Sequence, residues 1–342
     1  MRFKGIIDEI SKLEGYNKPK IYKDKLKLDT NENIAIPKRL VARVISKASK
    51  IDAREYPINY DMLKSDLAKY LNVKRDCIAI GNGSDQIIDL LLSIGRDTKS
   101  ITIKPTFSFY IARCRLYSLS LEEISLDDNF GLDYKKVIDS DADILYLCSP
   151  NNPTGNQFPR EEVINIIESF KGFIIIDEAY AEFARYSLKD IINKYDNLII
   201  IRTMSKAFGL AGLRIGYAIA NPSIIDVFNR VIQYPYPVNS IAVNAARIML
   251  SMKNEINNII TTIKKERERV YDAINSSGLS AYRSDANFIA FSGSKKIFNG
   301  LLRNGIIVKD LGEINGKQFY RVSIGNKDTN DRFINALRKV RL

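Results

Sequence analysis

The sequence predicts an α/β fold, a mainly parallel sheet sandwiched by helices with a smaller α+β domain attached. Three observations predict it. Short, continuously apolar segments alternate with amphipathic ones through the middle of the chain, the pattern of strands buried on both faces. Polar motifs rich in Gly, Asn and Pro follow those apolar segments directly, where open α/β sheets place their sites. Past about residue 245 the texture changes to a long helix followed by short strands with helices between and after.

Each element has its own signal. SDLAKYLNV (65–73) has helical period, and CIAI (77–80) reads as a short strand. SDQIIDLLLSI (84–94) is a helix with Ser84 as its N-cap. SITIK (100–104) is a strand and FSFYIARCRLYS a helix; DILYLCS (143–149) is a strand and EEVINIIESF (161–170) a helix. FIIIDEAY (173–180), NLIIIRT (197–203) and GYAIA (216–220) are further strands. AVNAARIMLSMKNEINNIITTIKKERERVYDAINSSG reads as one long helix, and ANFIAFSG, GIIVKD and FYRVSIG as strands of the smaller domain. The expected division is an N-terminal arm with part of the small domain (1–45), a large domain (46–245) and a small C-terminal domain (246–342).

Composition narrows the chemistry. At 342 residues the chain can bury a large core and form more than one domain. The absence of histidine removes a Ser-His-Asp triad, a Cys-His pair and His-ligated zinc, leaving acid–base work to Lys, Asp, Glu, Tyr or a cofactor. Cys77, Cys114 and Cys148 are odd in number and unrelated in spacing, so they read as small core residues in a reducing compartment and not as disulfides or metal ligands. No apolar run reaches the length of a membrane span, and the amphipathic start MRFKGIIDEISKLEGY is no signal peptide; the expected location is cytoplasmic. The net charge of +12 is interleaved with acidic residues, and KKERERV (264–270) reads as a solvated helix face. Phosphate-bearing small molecules fit such a field as well as nucleic acid does.

The polar strand ends form a constellation. GNGSDQ (81–86) opens a helix after a strand, where backbone N–H groups can hold an anion; an ordinary tight turn has the same look. SPNNPTG (149–155) has the chemistry of an ordinary loop, yet it sets Asn152 before Pro153 at a strand end. Asp177, behind four apolar residues, is a carboxylate that needs a cationic or N–H partner. Lys206 and Arg214 follow the NLIIIRT strand. An ion pair between Lys206 and Asp177 is the plainer reading, but it leaves Asn152, Tyr180 and Arg214 unexplained. A pyridine ring carrying an aldehyde, a phenolic oxygen and a phosphate uses all of them. Lysine can bond the aldehyde, Asp177 can keep the ring nitrogen protonated, and Phe107 can stack on the ring.

The order GNGSD, PTF, SPNNPTG, DEAY, TMSKAFGLAGLRIGY and RVSIG resembles the fold-type I pyridoxal-phosphate aminotransferases, most of all the histidinol-phosphate aminotransferase family, from LDTNENI to the end of the chain. The resemblance implies a seven-stranded large sheet, pyridoxal 5′-phosphate as cofactor and a homodimer. It makes Lys206 the Schiff-base lysine, Asp177 the partner of the ring nitrogen, and Asn152 and Tyr180 the ligands of the phenolic oxygen. Ser84, Asp85, Thr203, Ser205 and Arg214 become the phosphate site, joined by Tyr56 from the partner subunit. Arg321 matches the residue that receives the carboxylate of glutamate or the phosphate of histidinol phosphate, and Tyr16 and Asn31 fall where an N-terminal arm closes over substrate.

Two positions depart from the family. Phe107 stands where tyrosine is common, and Lys309 where a second substrate-binding arginine is common, keeping the charge without the fork. The implied reaction is transamination of L-histidinol phosphate with 2-oxoglutarate, giving imidazole acetol phosphate and L-glutamate in histidine biosynthesis. Alternatives on the same core are an aromatic or broad-specificity aminotransferase and a threonine-phosphate decarboxylase. A DNA-binding regulator on an aminotransferase-like body would need a helix-turn-helix module, for which DTNENIAIP is a poor recognition helix. No nucleic-acid or membrane partner is expected.

Overall fold

A computed structural model of the protein describes residues 3–13, 22, 24–95 and 97–340. Helix α1 (Phe3–Ile10) precedes strand β1 (Leu26–Leu28), α2 (Lys38–Ala48) and α3 (Tyr60–Leu71). The chain then alternates: β2 (Ile78–Gly81), α4 (Gly83–Ser93), β3 (Lys99–Lys104), α5 (Ser108–Leu116), β4 (Ser120–Ser125), α6 (Tyr134–Ile138), β5 (Ile144–Cys148), α7 (Arg160–Ser169) and β6 (Phe173–Asp177). Strands β7 (Leu198–Thr203) and β8 (Gly216–Ala220) follow, then α8 (Pro222–Val227), α9 (Ser240–Ser251) and α10 (Lys253–Ser276). The last stretch holds β9 (Ser280–Ala281), β10 (Phe288–Ser292), α11 (Lys295–Arg303), β11 (Ile306–Ile314), β12 (Lys317–Ser323) and α12 (Lys327–Lys339).

The large sheet has seven strands in the order β2-β8-β7-β6-β5-β3-β4, parallel except for β8, which runs against both neighbours. The register sets Cys148 beside Asp177 and Asp177 beside Ile201, while Gly216 lies between Gly81 and Thr203. One end of the sheet therefore gathers the ends of β2, β5, β6 and β7 with the start of β8. Both faces are covered. Ile175, Ile199, Ile201 and Tyr146 pack under α4 and α5, and Leu145, Leu147, Ile174, Ile176 and Ile200 join the larger core on the other side.

The smaller sheet runs β1-β11-β12-β10-β9, with β1 parallel to β11 and the remaining pairs antiparallel. Lys309 of β11 stands directly opposite Arg321 of β12. Residues opposite one another on adjacent strands share a face, so the two cations lie side by side.

Several expectations need correction. The helix after GNG begins at Gly83 with Asn82 as its cap residue, not Ser84; the Gln86 side-chain oxygen reaches back to accept the Asn82 N–H at 2.7 Å. The long C-terminal helix is two helices. Met252 leaves helical geometry (ψ 36°), so that α9 can pack on α2 and α3 while α10 crosses to α12 and β10. Tertiary packing overrides a helical propensity that is continuous across the break. The strand FIIIDEAY stops at Asp177 and turns. Edge strand β4 carried no clear apolar run, since SLEEIS has only two apolar residues, Leu121 and Ile124, which pack on opposite faces of the sheet. Within KKERERV, Glu266 is buried and accepts from Asn330 Nδ2 at 2.9 Å, so that segment is only partly a solvated face.

Behind Asp177 lies a buried charge cluster. Arg202 of β7 donates through Nη2 to Glu178 Oε2 at 2.7 Å, and its Nη1 lies 3.4 Å from Glu182 Oε1. Glu178 also accepts the Leu188 N–H at 2.7 Å, pinning the turn that carries Tyr180. Removing the guanidinium leaves two buried carboxylates without their cation, so Arg202→Leu is expected to cost about 3–5 kcal/mol in urea unfolding. A loss below about 1 kcal/mol would show that the turn does not depend on this pair.

Candidate active site

A cleft of about 930 Å³ opens at the strand ends, between the large sheet and the Lys309–Arg321 face of the smaller one. Asp29, Asn31, Ser84, Asp85, Phe107, Asn152, Asp177, Tyr180, Thr203, Ser205, Lys206, Arg214, Lys309 and Arg321 all line it. Tyr56 lies outside this cleft, 71% exposed and stacked on Tyr236 with ring centroids 4.4 Å apart. Tyr16 falls outside the described residues.

Asp177 forms the floor. Its carboxylate is 3% exposed, with Oδ2 accepting from the Tyr146 hydroxyl at 2.6 Å and Oδ1 from the Ala179 N–H at 3.0 Å. Burial pushes its pKa up to about 6 against the lowering effect of these two bonds. Lys206 makes no ion pair with it; Nζ lies 3.3 Å from the Thr30 carbonyl oxygen and 5.7 Å from the Tyr180 ring centroid. Burial, followed by the neighbouring Arg321, lowers the lysine to about 8. A carboxylate and an amine, each held against its preferred charge and unpaired with the other, are the mark of a functional pair more than of a structural ion bridge.

The walls hold Tyr180 and Asn152. Tyr180 accepts from Asn31 Nδ2 at 3.0 Å, leaving its own O–H proton free to point into the cleft, and burial keeps the phenol neutral. Asn152 accepts through Oδ1 from Arg321 Nη1, which turns its NH₂ group away from the arginine. The first asparagine of SPNNPTG has a different job. Asn151 is fully buried and ties the loop to Pro105 O, Thr106 and Thr154 at 3.0, 3.0 and 2.7 Å. Of the two, Asn152, set before Pro153, is the one that lines the cleft.

At the far end the start of α4 meets β8. Gly83 has φ +77°, and a Cβ there would stand 2.5 Å from Arg214 Nη2; a Cβ on Gly216 would stand 2.2 Å from the Ser84 nitrogen. Only glycine at both places lets the Arg214 guanidinium and the Ser84 amide approach so closely. Arg214 pairs with Asp85 at 2.8 Å, and the Thr203 and Ser205 hydroxyls lie 2.9 Å apart beside them. Overhead, Arg321 donates through Nη2 to the Asp29 carbonyl at 2.8 Å and sits 5.2 Å from the Phe288 ring centroid.

The fold and this cleft define an aminotransferase of the class I and II type: the chain belongs to the aminotransferase class I and II family, matching it over residues 23–337. It is 37% identical to the histidinol-phosphate aminotransferase of Pyrococcus furiosus over 317 residues, 91% of each chain. Among solved structures it is similar to the histidinol-phosphate aminotransferase of Clostridium acetobutylicum, with 30% identity, a TM-score of 0.84 and coverage of 92% of this chain and 98% of that one. The fold also matches the Sinorhizobium meliloti histidinol-phosphate aminotransferase in complex with pyridoxal-5′-phosphate, at a TM-score of 0.87 over 99% and 97% of the two chains, with 24% identity.

Asp177 binds its proton more tightly in the folded chain, about 6 against an ordinary 3.8. Its contribution to stability therefore falls as pH rises from about 4 to about 6 and stays lost above that. Asp177→Asn in the ligand-free protein is expected to raise the thermal midpoint by a few degrees near pH 7.5, with the gain vanishing near pH 4. A lower midpoint at neutral pH would contradict a carboxylate held at a cost.

Proposed function

We propose that this chain is a pyridoxal-phosphate-dependent transaminase that takes the amino group of L-histidinol phosphate and passes it to 2-oxoglutarate, giving imidazole acetol phosphate and L-glutamate in histidine biosynthesis. The observation that carries the reading is the placing of the Arg321–Lys309 pair in the same cleft as the unpaired Lys206 and Asp177. Two adjacent cations suit a phosphate dianion, and Arg321 alone suits the carboxylate of the second substrate.

The residues present fit the cofactor. The Gly83–Gly216 approach leaves a cup of backbone N–H, Ser84, Thr203, Ser205 and Arg214 for a phosphate, while Asp177 supplies a carboxylate and Lys206 an amine. When bound there, the cofactor supplies an electrophilic carbon and an electron-withdrawing ring. Phe107 would stack against the ring, and Asn152 and Tyr180 would donate to its phenolic oxygen. Asp177 would present an anion to the ring nitrogen. Lys206, with a pKa of about 8, is roughly one-tenth neutral at pH 7, and would be the amine that holds the cofactor's aldehyde carbon and the base for the proton on the substrate carbon that bears nitrogen. Arg321 orients the anionic end of either substrate, and Lys309 adds charge where the phosphate lies.

The functional unit in this reading is a homodimer. Tyr56 does not line its own cleft, and Ile58 near it in the chain is 79% exposed; Val231, Tyr234 and Tyr236 are also exposed, the last stacked on Tyr56. These exposed apolar side chains would be covered in the dimer, and Tyr56 would serve the site of the partner. No helix among the described residues is long and apolar enough to cross a membrane; a cytoplasmic location accords with the buried, reduced cysteines.

Steady-state rates with L-histidinol phosphate, L-tyrosine and L-threonine phosphate test the substrate. The expected kcat/KM favours histidinol phosphate by roughly a hundredfold or more. Equal or faster turnover of tyrosine would make the chain a broad-specificity aminotransferase, and carbon dioxide release from threonine phosphate would make it a decarboxylase. Lys206→Ala is expected to bind the cofactor without turnover; full activity would remove the lysine from the mechanism. Sedimentation is expected at twice the chain mass, and a monomer at working concentration would contradict the shared site.

A further inference from the structure

Tyr146 was not singled out by the sequence, because in the apolar run DILYLCS it reads as one more core residue. It lies in the middle of β5 with no exposed surface, on the same sheet face as Cys148 and Asp177. A buried tyrosine is a poor choice where phenylalanine would pack equally well, unless its hydroxyl has work to do. Here the hydroxyl lies 2.6 Å from Asp177 Oδ2. Its single proton can go only one way, since Asp177 is an acceptor when ionised.

The ring is itself gripped. It stacks on Tyr110 of α5 with centroids 4.0 Å apart and planes 14° from parallel, and the Tyr110 hydroxyl bonds Ser100 of β3. Thr102 donates to the Tyr146 carbonyl at 2.9 Å. Ser100 and Thr102 are the polar beats of S-I-T-I, in a strand buried on both faces. That alternation is the sequence signal of a polar column beneath the cleft.

We propose that Tyr146 is a positioning residue: its hydroxyl, locked by the Tyr110 stack, fixes the Asp177 carboxylate in orientation and holds it as the anion that meets the cofactor ring nitrogen. This rests on the cofactor reading above. The groups around Asp177 explain why the bond is needed. Burial and Asp85 of α4 oppose the anion; the Ala179 N–H, Lys206 and Tyr146 favour it, and Cys148 beside it is a neutral thiol held up by burial. Of the favouring groups only Tyr146 and Ala179 touch the carboxylate. Tyr146 stays a donor at every working pH, because burial raises its own pKa well above the usual value.

The test is equilibrium binding of pyridoxal phosphate, and of its 1-deaza analogue in which carbon replaces the ring nitrogen, to ligand-free wild type and Tyr146→Phe. The substitution removes one oxygen and keeps the packing. Loss of a hydrogen bond to a charged group is expected to weaken pyridoxal phosphate by about tenfold or more. The deaza analogue, which has no nitrogen for Asp177 to meet, is expected to change less than about twofold. In an Asp177→Asn background, adding Tyr146→Phe is expected to have no further effect on pyridoxal-phosphate affinity. Equal weakening of both ligands, no weakening of either, or an undiminished effect in the Asn background would overturn the proposal and leave Tyr146 as packing. Wild-type protein that binds neither ligand would overturn the cofactor reading itself, and this inference with it.

Discussion

Burial of Asp177 against its charge is the constraint on which the rest of the site depends. Parallel strands covered on both faces are apolar along their length, and their carboxyl ends are where polar groups can emerge without breaking the core. β6 ends in a carboxylate that is still inside, held by one hydroxyl and one backbone N–H, with its pKa raised to about 6. Three residues beyond β7, Lys206 is lowered to about 8. Each group alone destabilises the chain at neutral pH. Together, in one cleft and unpaired with each other, they form a site that gains by taking up a ligand with a cationic ring nitrogen and an electrophilic carbon. Functional groups held in this way are common at sites where stability gives way to chemistry.

The segment Asp29–Asn33 joins the halves of the site. The Asp29 carbonyl receives Arg321, the Thr30 carbonyl lies beside Lys206, and Asn31 donates to Tyr180 while its own carbonyl accepts from Asn287. Asn33 reaches the Ala207 carbonyl at 2.8 Å. A stretch of chain far from Lys206 in sequence thus sets the distance between the floor and the Arg321–Lys309 roof. Asn31 adopts φ +56°, a conformation that asparagine tolerates better than most side chains and that turns the backbone between these partners. Its side chain donates to Tyr180 at 3.0 Å and lines the cleft in which the resemblance implies a contact with substrate.

Most of the large sheet was legible because its strands are short, apolar and bounded by turn residues. What escaped was set by tertiary context. Strand β4 is a mostly polar edge, and the break at Met252 answers to where α9 and α10 must pack, which no local signal records. Asp177, Lys206, Asn152 and Arg214 stood out as polar residues at strand ends, so the cleft was foreseen in outline. Tyr146 and Asn151 did not, since a tyrosine in an apolar run and one asparagine of a pair look like core and turn until partners are known. Tyr56, which the resemblance assigns to the site of a partner subunit, stands outside the cleft of its own chain.

The measurement that bears most directly on this account is the ¹³C NMR titration of the Asp177 side-chain carboxyl, assigned through Asp177→Asn, in ligand-free protein and with pyridoxal phosphate bound. The expected midpoint is about 6 without ligand, moving well below the ordinary carboxylate value of 3.8 once the ring nitrogen is in place. A midpoint near 3.8 in the free protein, unmoved by the ligand, would contradict both the buried anion and its partner.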